Sequence, residues 1–582
     1  MDKRSTNIVK LSLLTLPLVL VLLAACGRDR PTPDAPEPAT ATPVLAAISL
    51  VDAPLLSSDH LAQGFAWHCD HPPEASLECT ATPQSITLDV TANASTYARW
   101  SLNWRESLAD STLSGPLLTG DETLTLAIRR KGQLSPNLYL VTADGQRLHL
   151  NLNAYGLNEG QENLLQTLHI PLQEFVDEEG NRLVYNAIEE VQIAFEWADM
   201  DGELMIQDFR FASVWQESVM VSDESKELAA TLQIPDDFVI EPMVDGVREM
   251  TQIIFATDGS MLVSQQRGRV WSYQDSDDDG HYDQRHLHTT GFTEIVGLLY
   301  DPIDDAVWIG GRGKLYRVQD TDANGVADTY EVRLTDLPWG RHQNNGLVWN
   351  PDPDPFTGEE GHHWIYFGLG STEDLEDGGP LNSTVLRFPR NSTAGQDDLE
   401  VVSRGNRNAY MLTWGQVPVD LSQPDGDWAW QLFAGENGPD FNDAPDEVNH
   451  IRWQHHYGFP EQFGLVEDGQ VDGEPYSGPV YPVTAHASAS GVAYVNNPDW
   501  PETYRTLYVS LFGQVFGTEI AGHKVQRVTL SAEETSTGTT YRGEPDDFVL
   551  GVDRPLPMMV GPQGNLWFGD YATGVIYRVS YR

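Results

Sequence analysis

Oxygen-bearing side chains crowd three short stretches of this sequence. Residues 436–449 hold five carboxylates, Glu436, Asp440, Asp443, Asp446 and Glu447, and three asparagines in fourteen positions, with Gly438-Pro439 among them. So polar a stretch, broken by Gly-Pro, predicts a loop built from oxygen ligands rather than a core strand or an ordinary helix. Hard cations such as Ca²⁺ take roughly six to eight oxygens, and turn carbonyls supply some of them as readily as carboxylates do. The same composition also suits a solvated acidic loop. The other two stretches both read Asp-x-Asp-x-(Asp/Asn)-Gly-x-x-Asp: Asp275, Asp277, Asp279 and Asp283, then Asp320, Asp322, Asn324 and Asp328. Oxygens at alternate positions followed by a glycine for the sharp turn are what a loop needs to wrap Ca²⁺. Both loops are expected to hold a structural ion that pins a long connection.

A second set of residues suits proton transfer and the binding of charge. His342 opens His342-Gln343-Asn344-Asn345-Gly346, and an imidazole titrating near neutrality can accept a proton from a hydroxyl. Farther on come Arg404-Gly405-Asn406-Arg407-Asn408-Ala409 and, past the acidic stretch, His456-Tyr457-Gly458-Phe459-Pro460. In that order, over about residues 234–582, these segments resemble the soluble quinoprotein glucose, aldose-sugar and sorbosone dehydrogenases. The pattern there runs His-(Asn/Gln)-x-Gly, Arg-Asn-Pro, Glu-x-Gly-Pro…Asp-Glu-x-Asn, then Asn-Tyr-Gly-Trp-Pro.

The resemblance implies a six-bladed β-propeller that binds pyrroloquinoline quinone (PQQ) and Ca²⁺, oxidises a sugar hydroxyl and passes the electrons to an external acceptor. It makes His342 the general base and gives Arg407 the charge developing on the quinone oxygens. Gln343, Asn408, Asn437 and Asp446 would hold or support the cofactor, and Arg554 would bind one of its carboxylates from the last blade. The carbonyls of Gly438 and Pro439 would ligate the Ca²⁺ that bridges to PQQ, and Glu447 a neighbouring structural Ca²⁺. Some positions depart from the pattern. Gly368-Leu369-Gly370-Ser371 lacks the carboxylate that orients the base, leaving Glu373 or Asp374 to substitute; Ala409 replaces a proline; and Phe512 stands where a cofactor-binding lysine is usual, with Lys524 the conceivable replacement. A catalytically silent propeller that binds carbohydrate at the cell surface is the alternative, and a calcium-stabilised adhesion protein a third reading.

These residues need a framework to bring them together. At 582 residues the chain exceeds the usual size of one core. Its formal charge of −51 repels nucleic acid and offers many sites to divalent cations, while 40% hydrophobic residues suffice for packed cores. Lys3, Arg4 and Lys10 precede an apolar run at 11–25, too short and too N-terminal for an ordinary membrane span. It ends in Leu23-Ala24-Ala25-Cys26, which resembles a bacterial lipobox. That likeness implies a signal peptide at 1–25, an exported protein and an acyl anchor on Cys26 in place of a spanning helix; an uncleaved signal anchor is the other reading. The Pro/Ala/Thr-rich residues 26–44 make a tether.

Short alternating runs over 45–220, such as 85–90, 124–128 and 204–211, predict a β-sandwich, within which 168–175 and 193–197 look loosely like the closing half of jelly-roll carbohydrate-binding modules. Trp100, Trp104 and Trp197 are available there to stack on sugar or to pack a core. Cys69 and Cys79, ten apart in an oxidising compartment, suit a local disulfide. A linker is expected at 221–233. Beyond it a phrase of strand, Pro/Asp/Gly turn and strand recurs at 253–263, 298–309, 347–367, 492–509 and 559–568, as propeller blades with long inserts require.

Overall fold

The structure is a computed structural model that describes residues 50–582 apart from 58–59, 62–63, 83, 106–117, 156, 158–162, 178–180, 214–215, 394, 419–426, 441–442, 466–468 and 515–520. Cys26, the signal sequence and the tether lie outside the described residues. The first part of the chain forms two five-stranded antiparallel sheets that enclose one core, to which Leu88, Leu102, Ile193 and Phe211 contribute from both sides. Trp100 and Trp104 are wholly buried in that core, so packing and not stacking on a ligand accounts for them; Trp197 alone of the three is exposed, at 62%. Cys69 and Cys79 are joined by a disulfide.

The expected linker is instead a helix, Asp223–Thr231. Ser222 caps it by accepting from Ser225 N–H, Asp223 and Glu224 suit the positive end of its dipole, and Ala229 is buried against the next domain. Capping and one apolar face outweigh the polar composition that reads as a linker.

From Phe238 onward the chain is an all-β propeller of six blades. Their innermost strands are Met250–Phe255, Gly297–Asp301, Asn344–Trp349, Ala409–Pro418, Ala489–Tyr494 and Pro555–Val560, and each packs on the next, the last against the first. The ring is closed by the strand Phe238–Val244, which pairs with Ile576–Tyr581 in the sixth blade, so the two ends of the domain share one sheet. Closure leaves few free edges and gathers the loops that precede the inner strands at one mouth.

The fourth blade is the one the recurring phrase does not mark. Its first hairpin pairs Ala409–Pro418 with Trp428–Glu436. Its next strand, Asp446–Ile451, overturns the expectation that 436–449 is loop throughout, because all six of its residues are buried. The carboxylates of this strand face neighbouring strands and backbone N–H groups, which is why so acidic a segment can pair.

Candidate functional site

His342 and Asn408 stand immediately before inner strands, while Ser371 and Glu436 stand at or just beyond the ends of the second strands, so four segments distant in sequence meet at one rim. Backbone bonds weld them. His342 N–H donates to the Ser371 carbonyl (3.2 Å), Ser371 N–H to the Arg407 carbonyl (2.7 Å) and Asn437 N–H to the Asn408 carbonyl (3.2 Å). Gly370 makes the approach possible: a Cβ there would fall 2.4 Å from Asn408 Oδ1 and 2.6 Å from His342 Cβ. The segments enclose a cavity of about 480 Å³ whose walls include His342, Arg407, Asn437, Gly438, Asp446 and Phe512.

The imidazole is held by the backbone. Nδ1–H of His342 donates to the Ser371 carbonyl at 2.9 Å, which leaves Nε2 as the acceptor nitrogen. Burial, with the Arg407 guanidinium adding to it, pushes the His342 pKa down to about 3, so the ring is a neutral base at any physiological pH. Asp374, one of the two acids that could have oriented this ring, does something else. It accepts from Arg407 Nη2 at 2.6 Å and pairs with Arg341 at 3.1 Å.

Arg407 is 1% exposed and fixed on every side: its Nε donates to the Asp374 carbonyl (3.0 Å), its Nη1 to the Asn437 carbonyl (2.9 Å) and its backbone N–H to Glu436 (2.6 Å). Asn437 gives its amide nitrogen to Ser488 Oγ (3.1 Å) and the Ala489 carbonyl (3.0 Å), and takes a bond from Asn408 at 2.9 Å. Asn408 is thus a support behind the wall. Asp446 accepts from the backbone of both Gly438 and Ser488 at 2.6 Å, stapling the Gly438-Pro439 turn to the fifth blade. Burial raises its pKa to about 6 against the lowering effect of those two bonds.

Two expected site residues sit at the edge of this group. Gln343 turns its amide to the Glu294 carbonyl (2.8 Å) in the neighbouring blade, away from the cavity wall. Arg554 lies over the Phe512 ring, 5.5 Å from its centroid, so the last blade brings a cation to the same mouth with one aromatic side chain between. Lys524 is no substitute for the missing lysine: it pairs with Asp547 at 2.7 Å on outer strands.

Behind the cavity lies a feature the sequence reading missed in its extent. Glu436 and Glu447 are register partners on adjacent strands, both under 5% exposed, and Asn449 Nδ2 donates to both at 2.9 and 3.2 Å. Burial raises both pKa values, and the charge of Glu436 raises Glu447 further. Asn449 Oδ1, wholly buried, has no hydrogen-bond partner. Two buried carboxylates and an orphaned amide oxygen form the oxygen-rich donor set of a hard metal ion, and so fit Ca²⁺. The family resemblance assigns Glu447 to a structural Ca²⁺ but gives no such part to Glu436 or Asn449.

The two acidic loops each connect the third and fourth strands of a blade, at the end of the ring away from His342. Asp275, Asp277 and Asp279 converge in the first, and Asp320, Asp322 and Asp328 in the second, each set with oxygens within 4.8 Å of one another. Asp283 stands outside its set and accepts from Ser276 N–H (2.9 Å). Asn324 turns its amide nitrogen to Asp322 (3.2 Å) and to Asp121 of the two-sheet domain (3.3 Å).

A family model described as a domain of unknown function, DUF7133, matches residues 238–580. No curated protein matches the sequence. Among solved structures, the iodide structure of Trichoderma reesei Carbohydrate-Active Enzymes Family AA12 is 14% identical with a TM-score of 0.48, over 60% of this chain and 98% of that one. The holo form of the pyranose dehydrogenase PQQ domain from Coprinopsis cinerea is 13% identical at 0.47, over 60% and 97%. The PQQ-bound aldose sugar dehydrogenase from Streptomyces coelicolor is 19% identical at 0.42, over 60% and 100%.

Proposed function

The chain belongs to the DUF7133 family, and from that premise we propose that its propeller is an oxidoreductase that removes hydrogen from a sugar hydroxyl with PQQ and Ca²⁺. One observation carries the reading: a neutral imidazole with Nε2 free shares a cavity wall with the Arg407 guanidinium and the Gly438 turn. The residues present fit the group. The cavity of about 480 Å³ has room for a planar tricyclic molecule, Arg554 offers a cation to one of its carboxylates and Arg407 one to its quinone oxygens, and the Gly438 and Pro439 carbonyls offer oxygens to its Ca²⁺.

Held there by Arg554 and the Gly438 and Pro439 carbonyls, PQQ with Ca²⁺ would supply an electrophilic two-electron acceptor for the C–H hydrogen. His342 takes the hydroxyl proton at Nε2, its ring held in the right tautomer by the Ser371 carbonyl. Arg407, already fixed by Asp374 and Asn437, meets developing negative charge without reorganising. Asp446 keeps the calcium-holding turn in place. We further read the chain as exported and acyl-anchored through Cys26, with a sugar or polysaccharide substrate and an external electron acceptor.

The test has two readouts. Titration of the calcium-loaded protein with PQQ, followed by the cofactor's absorption, should saturate at one equivalent, and a dye-linked assay should then show aldose oxidation that His342→Ala abolishes while uptake persists. Failure to take up PQQ would leave the carbohydrate-binding alternative.

A further inference from the structure

Arg554 is an arginine without an acid. The chain carries 86 acidic residues against 35 basic ones, and at the His342 mouth both Arg341 and Arg407 pair with Asp374. The half-buried Arg554 guanidinium makes no ion pair and no hydrogen bond among the described residues. Carboxylates close to it are spent elsewhere. Asp570, 1% exposed, accepts from the backbone N–H groups of Asp553 (2.9 Å), Arg554 (3.3 Å), Ala572 (3.0 Å) and Thr573 (3.2 Å), which fixes the Arg554 main chain without neutralising its side chain. Glu249, whose N–H donates to the Tyr571 carbonyl (2.9 Å), pairs with Arg267 at 2.6 Å.

What directs the side chain is Phe512. Its ring lies under the guanidinium and, half-buried, forms part of the wall of the His342 cavity. Phe512 follows the second strand of the fifth blade, Leu507–Leu511, and Arg554 precedes the inner strand of the sixth, so topology brings both to the mouth. The ring is itself held from three blades. Phe512 N–H donates to the Ser488 carbonyl (3.0 Å), and Tyr571 of the sixth blade meets the ring edge to face at 5.5 Å. The Tyr571 hydroxyl in turn donates to Gln266 of the first blade at 2.6 Å. A cation over an aromatic face is attracted by the ring quadrupole by about 0.5–1 kcal/mol at a partly exposed site, enough to bias a long side chain that no acid restrains.

A guanidinium kept clear of acids and seated against a cavity wall is free to meet an anion from outside the chain. We propose that Phe512 is a positioning residue for cofactor binding: by holding Arg554 against the cavity, the ring and the guanidinium of the next blade together replace the lysine that this chain lacks. The proposal rests on the quinone reading above and adds to it the residue that acts through Arg554.

Uptake of PQQ by the calcium-loaded full chain in detergent, followed by the cofactor's absorption, tests this without turnover. Arg554→Gln should weaken uptake by about tenfold or more, as loss of a charged donor does. Phe512→Leu and, in parallel, Phe512→Met should each weaken it roughly threefold, the worth of the ring contact, while Phe512→Tyr, which keeps the ring, should match the wild type. In the Arg554→Gln background, removing the ring should cost nothing further, because it acts through the guanidinium. A ring effect that persists in that background would overturn the proposal and leave the quinone reading standing. Tighter uptake by Phe512→Leu would do the same, since the ring would then be screening Arg554 from the cavity. No uptake by the wild type would overturn both.

Discussion

His342 owes its chemistry to a backbone carbonyl. With Nδ1–H spent on Ser371 and the pKa at about 3, protonation of this ring cannot set the acid limb of a pH profile near neutrality. Asp446 can: its carboxylate, with a pKa of about 6, is lost as pH falls through that value, and the Gly438 and Ser488 N–H groups then face a neutral acid. kcat/KM should therefore decline below about pH 6, and Asp446→Asn should lower the rate and flatten that decline. His342→Ala should cost about 10²–10⁴ in kcat, the range for a lost general base, with little change in quinone affinity. His342, Arg407 and the Gly438 turn were legible because their order along the chain carries information that no single residue does. The orienting group was not: any residue at 371 presents the same carbonyl, and Asp374 looked equally able to reach the ring until the fold gave it to Arg407.

At the scale of elements, the acidic strand Asp446–Ile451 and its partner concentrate the least comfortable charge in the molecule. Glu436 and Glu447 have raised pKa values, so between the ordinary carboxylate range and their native values the folded state binds more protons than the unfolded one. Stability is thus present at low pH and lost as pH rises through those values. In chelator the melting temperature should fall between about pH 5 and about pH 8, and added Ca²⁺ should restore more at the upper end, where protons no longer compete. Scanning calorimetry at several pH values decides this; a calcium shift independent of pH would contradict it. Gly370 sets a second limit. A Cβ there strikes Asn408 Oδ1 and His342 Cβ, so Gly370→Ala should cost ~1–3 kcal/mol in urea unfolding, as overpacking does, and displace the base enough to lower kcat. Five blades showed themselves in sequence through the recurring phrase of strand, Pro/Asp/Gly turn and strand. The fourth did not, and its strand of carboxylates read as loop, because polarity predicts exposure unless the pairing of those acids is already known.

Over the whole molecule, the two-sheet domain is joined to the first two blades through a small polar contact. Gln173, 3% exposed, donates to the Ala327 carbonyl (3.0 Å) and accepts from Thr289 Oγ1 (3.0 Å) and Thr290 N–H (3.2 Å). Glu174 beside it pairs with Arg269, and Arg182 stacks on Tyr330. Nothing in the sequence marks these residues, since a contact between domains leaves no periodicity and a glutamine is ordinarily a surface residue. Replacing Gln173 by Ala leaves the Thr290 N–H and the Ala327 carbonyl buried without partners, a cost of about 1–3 kcal/mol concentrated at the junction and absent from either core. The two cores are otherwise separate clusters, Trp100, Phe195 and Phe211 in one, the six blade interfaces in the others. Weakening the junction should therefore uncouple them: Gln173→Ala should lower the melting of the two-sheet domain and split the calorimetric trace into two transitions, with the propeller's own transition moved little. A single transition displaced as a unit would instead mean that the domains share more of their stability than this contact carries.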